Sequence, residues 1–108
     1  MQYRSFPKST ERVSSLGFGC MRLPVTQGGA VDEPSAIKLI HMALDAGVNY
    51  FDTAPDYGQG ESERVLGRVL RALKADVVVG TKVRLREAKP GQIAAEITAS
   101  LEASLQRL

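Results

Sequence analysis

An aspartate, a tyrosine and a lysine carry most of the chemistry this sequence offers. The run Val48-Asn49-Tyr50-Phe51 stops at Asp52, Tyr57 follows five residues later, and Val77-Val78-Val79-Gly80-Thr81 leads to Lys82. Runs of apolar, β-branched and aromatic residues of this length read as buried strands. A carboxylate ending one strand and an ammonium ending the next would meet at the carboxyl edge of a parallel sheet, where α/β enzymes gather their reactive groups. A lysine in such a strand is costly to desolvate unless a carboxylate answers it, and Asp52 is the nearest candidate. A free phenol, with a pKa of about 10, donates a proton poorly at neutral pH. A neighbouring ammonium favours the phenolate and so eases the transfer. The trio points to proton transfer, with Tyr57 as acid, Lys82 as its electrostatic partner and Asp52 as the anchor. Taken singly, Asp52 could instead cap the following loop and Tyr57 could cover apolar surface.

Other reactive types are fewer. Asp56, Glu61 and Glu63 form a carboxylate-rich segment that would suit glycoside hydrolysis or a metal, but acids entering a helix are better explained by its N-terminal dipole. No metal site is expected. His41, the only histidine, lies on the flank of an amphipathic stripe and should not reach Tyr57. Cys20 is the only cysteine, which excludes an intrachain disulfide and a cysteine-rich zinc site. With Met21 it follows the first strand end, either as a small apolar plug or as part of the reactive rim.

The elements that must position these groups alternate. Residues 2–6 and 12–13 flank Pro7-Lys8-Ser9-Thr10-Glu11 and predict a hairpin. Leu16-Gly17-Phe18-Gly19 reads as the first buried strand, followed by a loop over residues 21–30. Asp32 as N-cap, Pro34 in the first turn and Ile37, Ile40, His41 and Leu44 at helical spacing predict a helix ending at Gly47. Residues 48–51 form the next strand. Val65, Leu66, Val69, Leu70 and Leu73 mark a second helix over 62–73. Residues 77–83 form a third strand, and Ile93, Ile97, Leu101, Leu105 and Leu108 a third helix. The strand ends at Gly19, Asp52 and Lys82 recur every 30 to 33 residues, the period of a βαβ unit and of a (β/α)8 barrel. A dinucleotide fold of the Rossmann type shares that period, but Arg22 stands where its third glycine belongs.

With 108 residues, 44% hydrophobic and 24% charged, the chain is composed like one globular domain. A net charge of +2 with no basic tract argues against nucleic acid. No apolar run approaches the ~20 residues needed to span a bilayer, and no secretory h-region follows Met1, so a cytoplasmic protein is expected.

Leu16-Gly17-Phe18-Gly19-Cys20-Met21-Arg22-Leu23, Gly47-Val48-Asn49-Tyr50-Phe51-Asp52-Thr53-Ala54 with Tyr57-Gly58, Glu61, Leu66-Gly67, and Thr81-Lys82-Val83 together closely resemble the aldo-keto reductases. The resemblance implies the N-terminal part of a (β/α)8 TIM barrel: a hairpin plug over residues 1–14, then about three βα units over 15–108. It implies NADP(H) as cofactor, with Gly19, Cys20, Met21 and Asp52 at its nicotinamide end, and a small aldehyde or ketone as substrate. In that family a tetrad performs the proton transfer. Asp52, Tyr57 and Lys82 match three of its members, while the fourth, a histidine, follows a further strand beyond Leu108. About a third of the barrel is expected here, with little turnover on its own and self-association through exposed barrel edges. Two other readings stand beside the oxidoreductase. One is a non-catalytic cofactor-sensing module like the reductase-like β-subunits of potassium channels, and the other a piece that folds beside a complementary half-barrel.

Overall fold

Local signals lay down the elements that hold the rim. The structure, a computed structural model, describes residues 1–85 and 89–108. Strands β1 (Tyr3–Ser5) and β2 (Arg12–Ser14) form an antiparallel hairpin in which Tyr3 faces Ser14. The Asn49 side chain stitches it to the barrel-like part: its amide accepts from Ser14 N at 2.7 Å and donates to the Arg12 carbonyl at 2.8 Å. The Tyr3 hydroxyl adds a bond to the Gly47 carbonyl at 2.9 Å.

Three short strands follow in a parallel sheet of order β3 (Phe18–Gly19), β4 (Tyr50–Asp52), β5 (Val78–Gly80). Gly19 pairs with Asp52, and Asp52 with Gly80, so the three strands end level. Helix α1 (Glu33–Asp45) starts at Asp32, whose carboxylate accepts from Ser35 N at 3.3 Å and Ser35 Oγ at 2.8 Å. Gly47 takes φ +85°, which ordinary side chains disfavour, and turns the chain into β4. Helix α2 (Ser62–Leu73) buries Val65, Leu66, Val69 and Leu70 against Ala36, Ile40 and Ala43 of α1 and Phe51 of β4. That apolar layer, on one side of the sheet, is the core.

Helix α3 (Ile93–Arg107) forms where its period places it but does not bury the expected face. Ile93, Ile97, Leu101 and Leu105 remain exposed, and α3 meets α2 through Ser104, Arg107 and Leu108 instead. A helical period identifies a helix; which side is covered depends on neighbours elsewhere in the chain. Close approach there requires a glycine: a Cβ on Gly67 would lie 2.1 Å from the Arg107 carbonyl oxygen.

All three strands of the sheet are shorter than the apolar runs suggest; β4 begins at Tyr50 rather than Val48, because its partner Val78 starts β5 there. Leu16 is exposed and precedes the ladder, since β3 pairs with β4 only at Phe18 and Gly19. The third strand stops at Gly80 rather than Val83, because β4 itself ends at Asp52. Beyond it, the bond from Thr53 N to the Gly80 carbonyl, 2.8 Å, closes the ladder before Pro55 turns the chain away. Lys82 therefore emerges just past the sheet.

Candidate active site

The carboxyl edge of the sheet gathers the three residues singled out above. The Lys82 ammonium donates to Asp52 Oδ1 at 2.8 Å, Asp52 Oδ2 at 3.0 Å and the Thr53 carbonyl at 3.0 Å. Three acceptors thus face the three N–H bonds of the ammonium. Tyr57 begins a 3-10 turn (Tyr57–Gly60), and its ring centre lies 4.9 Å from Lys82 Nζ, within cation–π range. Hydrogen bonding to Asp52 is the main cause that raises the Lys82 pKa above its ordinary value. The pair is not buried as a strand lysine would be: the Lys82 and Asp52 side chains are 45% and 44% exposed. Pairing arises here without strong desolvation.

The loop carrying Tyr57 is tightly specified. Gly58 takes φ +58° and Gln59, without the freedom of glycine, φ +57°. A Cβ on Gly58 would meet Val31 at 2.7 Å. An Arg84–Asp56 ion pair ties the segment after β5 to the residue preceding Tyr57.

Around this rim, Gly19 has no atom within 4 Å of where a Cβ would stand, and Met21 of the 3-10 turn Cys20–Arg22 is exposed. Cys20 is wholly buried, and its thiol pKa is pushed up to about 12, first by burial and then by the Asp52 carboxylate, with Lys82 acting in the opposite sense. The thiol therefore belongs to the core and stays protonated. His41 lies in the cleft between α1 and α2, with Glu33, Ile37 and Arg68.

Glu63 departs most from the sequence reading. It lies in the first turn of α2, as the dipole argument requires, yet its side chain is 0% exposed. Its Oε1 accepts from Thr81 Oγ1 and its Oε2 from Arg107 Nε, both at 2.6 Å. The signal was its place three residues before Leu66 and seven before Leu70, on the stripe that packs inward. Of the other two acids, Glu61 pairs with Arg64 at 2.7 Å and Asp56 with Arg84. Among the described residues, no group of three or more His, Cys, Asp or Glu side chains could hold a metal ion.

A parallel βα sheet with an Asp–Lys pair and a tyrosine on its carboxyl edge is the kind of rim on which α/β enzymes do chemistry. The sequence profile of the Aldo/keto reductase family matches residues 15–108, and the chain belongs to that family. Among curated proteins it is 38% identical to "Probable voltage-gated potassium channel subunit beta" of Oryza sativa subsp. japonica and 34% identical to "Aldo-keto reductase YhdN" of Bacillus subtilis (strain 168). Both alignments cover the whole chain and 34% of the relative. The chain thus spans about a third of the length of the curated relatives it matches. Among solved structures it is similar to aldo-keto reductase AKR11C1 from Bacillus halodurans in its holo form, with 35% identity, a TM-score of 0.80, and coverage of 100% of this chain and 36% of that one. The glycerol dehydrogenase AKR11B4 from Gluconobacter oxydans matches at 28% identity and a TM-score of 0.70, covering 98% of this chain and 35% of that one. The fold is accordingly the N-terminal part of the aldo-keto reductase barrel. No helix among the described residues is long and apolar enough to cross a membrane.

Proposed function

We propose that this chain supplies the Asp–Tyr–Lys part of an NADP(H)-dependent carbonyl reductase, in which Tyr57 protonates the oxygen of an aldehyde or ketone as it becomes an alcohol. The observation that carries the reading is the position of the Lys82 ammonium, held on Asp52 at 2.8 Å and standing 4.9 Å from the Tyr57 ring. A cation so placed favours the phenolate left after proton transfer. With its N–H bonds already facing Asp52 and Thr53, Lys82 acts through its charge, leaving the substrate oxygen to the Tyr57 hydroxyl. Asp52 keeps the charge in place.

We assign the cofactor to the same rim. Open space where a Gly19 side chain would stand, opposite Asp52 in the ladder, and the exposed Met21 support placing it there. Gly19, Met21 and Asp52 would hold the nicotinamide end, and Cys20 would contribute through its backbone, since its side chain faces the core. When bound, the dinucleotide supplies the hydride. Residues 1–14 we assign as the plug at the base of the barrel and 15–108 as its first βα units.

The test is carbonyl-dependent oxidation of NADPH by the full reading frame, whatever its length, beside Tyr57→Phe. A fall in kcat of roughly 100-fold or more is expected for loss of a general acid. An unchanged rate would mean that Tyr57 is not the acid. The similarity to the protein named as a channel subunit supports a second reading, a cofactor-binding regulatory module. NADPH binding without turnover of any aldehyde or ketone would favour it.

A further inference from the structure

We propose that Glu63 and Thr81 form a positioning pair that holds Lys82 from the helix side of the sheet. This rests on the reading of Lys82 as the electrostatic partner of Tyr57. Strand β5 ends at Gly80, so Thr81 and Lys82 lie beyond the ladder and need other ties. On the rim side Lys82 is tied to Asp52 and Thr53, but the ion pair is almost half exposed, and such pairs fix a long flexible side chain weakly. On the opposite side, Thr81 donates its hydroxyl proton to Glu63 Oε1 at 2.6 Å. Glu63 is wholly buried, where a bond to a charged acceptor is short, directional and costly to break.

The second carboxylate oxygen shows why an ionised Glu63 is tolerated there. Arg107 donates to Oε2 at 2.6 Å from the end of α3, answering the charge and leaving Oε1 for Thr81. One buried carboxylate thus joins the first turn of α2, the last turn of α3 and the residue immediately before Lys82. A helix-dipole role alone would place Glu63 near the helix start in water and would need neither partner. Burial together with use of both oxygens points to a tie between the outer helices and the rim, and the backbone that launches Lys82 is what Oε1 fixes.

The experiment compares Thr81→Val, which keeps the shape and removes the donor, with Thr81→Ser, which keeps the donor, in the full reading frame. Two readouts are taken: steady-state carbonyl reduction, and titration of Lys82 followed by NMR of its 13Cε. Thr81→Val should lower kcat roughly tenfold with KM for the carbonyl little changed, since a small misplacement of a reacting group has such effects. It should also move the Lys82 midpoint down toward the ordinary lysine value, as the hold on Asp52 loosens. Thr81→Ser should restore both. An unmoved Lys82 midpoint in Thr81→Val overturns the proposal, whatever kcat does. If the wild-type protein reduces no carbonyl, or Tyr57→Phe is fully active, the reductase reading falls, while the Lys82 titration still decides the role of Glu63 and Thr81.

Discussion

Asp52 and Gly80 stand opposite one another in the ladder, so the carboxylate that takes Lys82 has as its neighbour a residue without a side chain. A Cβ on Gly80 would lie 2.7 Å from the Tyr50 hydroxyl and 3.8 Å from Asp52 Oδ2. Gly80→Val should crowd both, destabilising the fold by about 1–3 kcal/mol and weakening the Lys82–Asp52 contact. Thermal melts of wild type and variant measure the first effect. A variant as stable as wild type would show that Tyr50 swings aside freely.

The Lys82–Asp52 pair should contribute little to stability for all its importance to the rim. Lys82→Met is expected to cost no more than about 1 kcal/mol, because the pair is exposed. Its pKa is raised on folding, so the contribution is fully present below the ordinary lysine value of 10.5 and is lost as pH climbs from there through the higher folded value. Denaturant midpoints between pH 8 and pH 12 should therefore converge for wild type and Lys82→Met at the alkaline end.

Cys20 gives a second alkaline effect, starting at lower pH. Its folded pKa of about 12 lies above the ordinary 9.0, so from about pH 9 upward the unfolded chain releases the thiol proton first and the fold loses stability. Cys20→Ala should flatten that part of the pH–stability curve. In wild type at pH 8, iodoacetamide should label Cys20 only after denaturant is added. Rapid labelling of the folded protein would contradict its burial.

Gly67 controls whether α3 can dock. Gly67→Ala would push a methyl group into the Arg107 carbonyl, a backbone atom with no easy retreat. A loss of about 1–3 kcal/mol is expected, as for other overpacked sites. Hydrogen exchange should locate it: amides of α3 should lose protection before those of α1.

The uncovered apolar stripe of α3 predicts association. As an isolated 108-residue polypeptide, the chain should sediment as larger species at concentrations where Leu101→Glu combined with Leu105→Glu remains monomeric. A wild-type monomer over the same range would mean that the stripe attracts nothing.

The fold was legible where one local pattern decided the matter. Asp32, Pro34 and Gly47 bound α1 through backbone chemistry that does not depend on distant residues. The stripe of α2 gave its limits, 62–73, because its apolar side really does face the core. Strand lengths were less legible, since a ladder ends where its neighbour ends: Val83 is apolar, yet β4 offers nothing beyond Thr53 to pair with. The covered side of α3 was not legible for the same reason. The meeting of Asp52 and Lys82 was readable from where the apolar runs stop, and the nearness of Tyr57 from the loop that leaves Asp52. For Glu63 only its place on the inward stripe was legible; its partners Thr81 and Arg107, 18 and 44 residues away, were not.

Asn49 also settles how the molecule could be handled. By stitching the hairpin to the entry of β4, while Asp52 ends the same strand, it puts the hairpin and the Lys82–Asp52 rim at opposite ends of a three-residue strand. Met1 lies near Gly47, on the side of β4 away from Asp52. A surface tether attached through the hairpin would hold the protein by its back, with the Lys82 edge turned toward the bulk solution and open to whatever is flowed across it.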